Sequence, residues 1–145
     1  FAFWALAFGS ISLVPCFESK RYDASFVRPL FYYLLIISSV SFAVAGIVTL
    51  EHAPTLHIVS IFIAFVALAA SMFIAFRQET FGWFRWFSLA ALLFALMALS
   101  FGNIGVLEAG TAQRMTALGI LGWMSVAGIY FVWIPLPDRN DSNAT

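Results

Sequence analysis

Charge is what this chain has least of. Lys and Arg number 7 and Asp and Glu 7, so charged residues make up only 10% of the 145, against about 25% in a soluble globular domain. The formal net charge is zero, which provides no basic footprint for nucleic acid. The single cysteine, Cys16, excludes an internal disulfide and any multi-cysteine metal site. It lies beside an expected membrane boundary, where S-palmitoylation is chemically open to it, although a small apolar filler is the ordinary role of such a residue. Neither GxGxxG, nor a P-loop, nor GxSxG is present, so nucleotide binding and serine hydrolysis have no support. There is no internal repeat. The apolar stretches are continuous and not alternating, which argues against a β-barrel. The first residues lack a basic region followed by a small-residue cleavage site, so they do not read as a signal peptide. The absence of an initial Met fits a truncated or processed N-terminus.

What the chain does have is apolar bulk: 63% hydrophobic and 18% aromatic residues, including 17 Phe and 5 Trp. Five stretches read as transmembrane helices, at about residues 1–17, 30–50, 54–76, 83–102 and 111–134. The first is short for a span of ~20 residues, as expected if a helix start, or a whole sixth helix, precedes residue 1. The third is ~34 Å long at 1.5 Å per residue, enough to cross. Pro29 and Pro54 stand where helices start, and Pro135 and Pro137 end the last one. Trp83 and Trp86 flank Arg85 in an interfacial arrangement. The fold class is therefore all-α, a polytopic transmembrane helical bundle. Residues 1–134 form one domain, and residues 135–145 form a polar, disordered tail.

Loop charge orients the bundle. Lys20, Arg21 and Arg28 follow the first segment, and Arg77 follows the third with Arg85 just beyond. The other two loops carry no Lys or Arg before Arg114. The positive-inside rule makes the first pair cytoplasmic, with the visible N-terminus outside and the tail inside. Asn143 opens an N-x-T sequon that a cytoplasmic tail would keep from glycosylation.

No ionisable residue falls in the middle of a span. Intramembrane charges mark proton relays and ion paths, so a proton- or ion-coupled pump made by this chain alone is disfavoured. Polar groups gather at the outer face instead: Glu51, His52, His57, Glu108, Gln113 and Arg114. The joint is residues 49–60, TLEHAPTLHIVS. Glu51 closes the second segment and Arg114 opens the fifth, each at the end its helix dipole disfavours. A salt bridge of Arg114 with Glu51 or Glu108 would relieve both. His57, one turn into the third segment, leads a stripe of small residues, Ser60, Ala64, Ala67 and Ser71, by helical spacing. It should point into the bundle mouth. It reads as a hydrogen-bonded structural histidine, as a ligand or general base in an outward pocket, or as part of a metal site with His52 and Glu51. The proline between the two histidines spoils the i, i+4 pair that metals favour, and catalytic zinc needs three ligands. No metal or other cofactor is expected. A bound lipid suits so apolar a surface. Gly119, Gly122 and Gly128, with Ala5 and Gly9, read as helix-packing positions.

From Arg28 onward the chain resembles an uncharacterised prokaryotic six-helix membrane family, domain of unknown function 998. The resemblance is carried by Gly46, Glu51, His57, Gly110, Arg114 and Trp123, with Gln113 where that family's pattern has an acid. It is also distantly similar to the eukaryotic six-helix Frag1/DRAM-type proteins. The resemblance implies a helix before Phe1 and a prokaryotic cytoplasmic membrane. It implies no activity.

Two functions fit. The first is a membrane protein without catalysis of its own, an accessory or scaffolding subunit contacting other membrane subunits and the lipid bilayer through aromatic and small-residue helix faces. The second is a small-molecule or lipid-binding protein, a transporter or enzyme, with an outward-facing pocket around Glu51, His57, Glu108 and Arg114.

Overall fold

The computed structural model describes residues 2–18, 27–48 and 51–133. These form five α-helices, α1 (Ala2–Glu18), α2 (Val27–Ile47), α3 (Pro54–Arg77), α4 (Trp83–Asn103) and α5 (Ala109–Trp133), with one 3-10 turn, Glu79–Phe81. No strand occurs among the described residues. Pro29–Ile47, Pro54–Arg77, Trp83–Asn103 and Gly110–Val132 are each long and apolar enough to cross a bilayer. The chain is a multi-pass helical membrane protein. Helices are the natural solution for such runs, because each satisfies its own backbone hydrogen bonds where no water is available. The apolar part of α1, Phe3–Pro15, is shorter.

Helix boundaries follow local chemistry. Pro54 is the first residue of α3, where its missing N–H costs nothing. At the far end of α3, Gln78 turns extended and its N–H bonds the Ala75 carbonyl. Gly82, with φ of 51°, reverses the chain into α4, a backbone conformation that a Cβ would strain. Two edges differ from the sequence expectation. α2 begins before Pro29, which sits in its first turn, and it ends at Ile47 rather than at residue 50. Thr49 and Leu50 lie outside the described residues, as do Lys20, Arg21 and the expected tail at 135–145. The side chains of Cys16 and Arg28 lie outside them too.

Consecutive helices pack side by side, and α1 also packs on α5, closing a five-membered ring. Gly9 faces Met124 and Gly128 faces Leu13, so α1 and α5 run parallel. Gly46 faces Trp4 and Phe3, so α1 and α2 run antiparallel. One end of the ring therefore gathers the start of α1, the α2–α3 joint, the end of α4 and the start of α5. This is called the His57 end below, and the opposite end the Arg85 end.

The core is built from small residues and rings. Ser60, Ala64, Ala67 and Ser71, the stripe expected on α3, are all buried. Trp123 of α5 is fully buried and stacks on Phe84 of α4 at 6.1 Å and on Phe31 of α2 at 6.5 Å. Lipid tails are as apolar as leucine, so these helices gain little from the hydrophobic effect. They associate through close packing and interhelical hydrogen bonds. The Trp123 indole N–H donates to Ser88 Oγ at 2.9 Å, and the Ser88 hydroxyl donates to the Phe84 carbonyl at 2.9 Å. Ser39 donates to the Ala7 carbonyl at 2.9 Å, joining α2 to α1. Tyr130 donates to the Phe81 carbonyl at 2.9 Å and ties α5 to the 3-10 turn.

Candidate functional site

The α2–α3 joint positions His57. Its Nδ1 lies 2.6 Å from the Val48 carbonyl oxygen. A carbonyl can only accept, so Nδ1 carries the proton in this contact. The last carbonyls of a helix have no partner within it, and His57 supplies one for α2 from the first turn of α3. Phe3 of α1 meets the imidazole edge-on at 5.4 Å. The histidine thus points inward, as its stripe requires, and fastens three helices at one point.

The charges around it are arranged differently from expectation. Glu51, Glu108 and Arg114 are all exposed, and among the described residues no ion pair joins Arg114 to either carboxylate. The helix boundaries give the reason. Because α2 ends at Ile47, Glu51 lies in the joint, outside both α2 and α3, and no longer at a helix end whose dipole disfavours it. Arg114 lies beyond the first turn of α5, where the dipole effect has faded. Neither charge is misplaced, and a solvated surface pair stabilises by only ~0–1 kcal/mol. The Glu108 backbone carbonyl accepts the amides of Thr111 and Ala112, both at 2.9 Å, and starts α5. Among the described residues no three His, Cys, Asp or Glu side chains are grouped to hold a metal ion.

A groove of about 480 Å³ opens elsewhere at this end, between α3, α4 and α5. Its walls are Ile58, Ile61, Phe62, Phe65, Val66 and Ala69 of α3 and Leu96, Leu99, Gly102 and Asn103 of α4. α5 contributes Ala112, Gln113 and Thr116. None of Glu51, His57, Glu108 and Arg114 lines it. Ala112 and Thr116 are buried, whereas Phe62, Val66, Leu96 and Leu99 are exposed, so the groove has a bundle floor and a lipid-facing mouth. Its volume lies within the ~300–1,000 Å³ of ligand pockets. Polar side chains are confined to Asn103, Gln113 and Thr116. The Thr116 hydroxyl already donates to the Ala112 carbonyl at 2.9 Å, which leaves it only acceptor capacity. A second void of about 40 Å³ shares Phe65, Ala69, Leu96, Leu99 and Thr116 with the groove and is also lined by Met72, Leu92, Ala95 and Ile120.

Close backbone approach shapes the rim. A Cβ on Gly102 would lie 2.5 Å from the Ala112 Cβ, so α4 and α5 touch there through their smallest residues. Sequence reading marked Gln113 but passed over Asn103 and Thr116. The available signal was the facing of small residues, Ala69, Gly102 and Ala112, across three helices. At the other end, the Arg85 guanidinium lies over Phe76 at 5.6 Å and Trp86 at 5.1 Å, within cation–π range. Trp83 and Trp86 remain exposed there, in keeping with an interfacial belt.

Among known proteins, no family model, no curated protein and no solved structure matches this chain.

Proposed function

We propose that this chain is a non-catalytic membrane protein that binds an amphiphilic ligand laterally, in the groove between α3, α4 and α5. One observation carries the reading: a ligand-sized apolar groove faces the lipid and has polar side chains at the His57 end. The ionisable groups named from the sequence stand outside it. Among the described residues no charged side chain is buried in the bundle interior, and the buried hydroxyls of Ser10, Ser38, Ser71, Ser88 and Thr116 are bonded to helix carbonyls. By loop charge, the His57 end faces away from the cytoplasm.

Purification in mild detergent followed by quantitative mass spectrometry of extracted amphiphiles tests the reading. Ala69→Phe and Val66→Trp, which fill the groove, should lower the bound amount, and Phe73→Trp, outside the lining, should not. Equal amounts in all three variants would refute it. A second reading, an accessory or scaffolding subunit, is favoured by the large rings exposed on separate helices, among them Phe8, Phe73 and Trp86. Those positions suit lateral contact with another membrane subunit. Copurification of a stoichiometric membrane partner would support that reading, and a lone monomer would count against it.

A further inference from the structure

We infer that the groove holds one acyl chain of a bilayer phospholipid, taken from the leaflet at the His57 end, with the chain terminus directed toward Met72 and Ile120. The inference rests on the groove being a ligand site and adds the identity and direction of its occupant.

Length makes the first argument. Along α3 the groove runs from Ile58 to Ala69, which at 1.5 Å per residue is ~16 Å. The hydrocarbon core is ~30 Å thick, so one leaflet is ~15 Å deep. The groove therefore has about the length of one leaflet. A spanning helix from a partner or a second copy would need a seat about twice as long.

Polarity makes the second argument. Asn103, the last residue of α4, and Gln113, early in α5, stand at the His57 end of the groove. Their carboxamide N–H groups can donate to the ester carbonyls of a glycerolipid. From there inward the lining is apolar apart from Thr116. A polar solute would find no partners along that depth, whereas an acyl chain needs none.

The third argument is continuity. The smaller void shares Phe65, Ala69, Leu96, Leu99 and Thr116 with the groove and is lined further by Met72, Leu92 and Ile120. Met72 and Ile120 are 1% and 2% exposed, so a lipid lying on the outside of the bundle does not reach them. A chain end entering through the groove does.

The experiment uses the whole chain reconstituted in dioleoyl phosphatidylcholine vesicles. These are doped with phosphatidylcholine carrying a diazirine either at the chain terminus or next to the glycerol, and labelled residues are mapped by mass spectrometry after illumination. The terminal probe should label Met72, Leu92 or Ile120, and the glycerol-proximal probe should label Ile58, Asn103 or Gln113. Ala69→Phe should abolish the internal labelling and leave that of exposed Phe73 unchanged. Should Ala69→Phe fail to fold, Val66→Trp at the groove mouth serves the same purpose. Labelling restricted to exposed residues in the wild-type chain would overturn the inference. In that event a photoactivatable sterol separates the two readings. Internal labelling by the sterol would leave the groove as a ligand site with another occupant, and its absence would remove the site as well. Disulfide-linked dimers of Leu99→Cys made beside Cys16→Ser, at stoichiometric yield, would show a second copy on the groove and would also overturn the acyl-chain assignment.

Discussion

Replacing Ser88 by Ala should have different effects in two backgrounds, and the difference measures the bond at the centre of the bundle. In the native chain, Ser88 Oγ accepts the Trp123 indole N–H at 2.9 Å, with both residues fully buried. Ser88→Ala leaves that N–H without an acceptor. In a water-soluble core, stranding a buried donor costs ~1–3 kcal/mol. Within a bilayer the unfolded reference state also finds partners, and measured interhelical couplings average ~0.6 kcal/mol with a maximum near ~1.7. The short distance and complete burial place this pair in the upper half, at about 1–1.5 kcal/mol. Trp123→Phe removes the donor and keeps a ring against Phe84 and Phe31. In that background Ser88 has only its bond to the Phe84 carbonyl four residues back, a type of contact that slightly destabilises helices. Ala is also the better helix former by up to ~0.7 kcal/mol. Ser88→Ala should therefore destabilise the native chain by about 1 kcal/mol and be neutral or stabilising beside Trp123→Phe. The assay is a double-mutant cycle of reversible unfolding in mixed micelles, followed by helix circular dichroism. A coupling below ~0.3 kcal/mol, within the scatter expected of independent sites, would refute the assignment of Trp123–Ser88 as an interhelical anchor.

Glycine exchanges should separate by position. Gly102→Ala puts a methyl 2.5 Å from the Ala112 Cβ and should destabilise by ~1–3 kcal/mol through overpacking, whereas Gly122→Ala meets open space and should stabilise by ~0.5–1 kcal/mol; both are read in the same micelle titration. His57→Phe keeps a ring against Phe3 but loses the bond to the Val48 carbonyl, so it should lose ~1 kcal/mol and speed amide exchange at the end of α2, while His57→Gln, which can still donate, should recover part of the loss. Arg85→Leu removes the cation lying over Phe76 and Trp86 and should lower stability by ~0.5–1 kcal/mol. A matching loss in Arg85→Leu beside Trp86→Leu would show that the effect does not arise from that ring.

The membrane architecture could be read directly because the bilayer imposes it. A run of about 20 apolar residues has one outcome in lipid, a helix, and the observed helices follow the continuous runs, with Pro54 opening α3. The small stripe on α3 was legible for the same reason: Ser60, Ala64, Ala67 and Ser71 recur at helical spacing, and only a helix neighbour benefits from small size. His57 could be placed on that face, but its partner could not be named, since the Val48 carbonyl belongs to the backbone and carries no sequence signal. The proposed salt bridge went wrong at a boundary. With α2 ending three residues earlier, Glu51 falls in the joint instead of at a disfavoured helix terminus, and the reason for pairing disappears.

What the sequence determined by itself was the number of helices, their approximate limits and the class of protein. The tertiary structure decided which faces meet: the parallel seat of α1 on α5, the Trp123–Ser88 bond, and the groove that α3, α4 and α5 leave open at the His57 end. The physical reason is that lipid and protein interior are equally apolar. Phe62 faces the groove and the lipid, Phe84 lies fully inside, and both are the same residue type in the same kind of run. In water the polar face of a helix reveals its exposed side. Here the distinction rests on side-chain size and hydrogen bonding between helices far apart in the chain, which only the assembled bundle brings together.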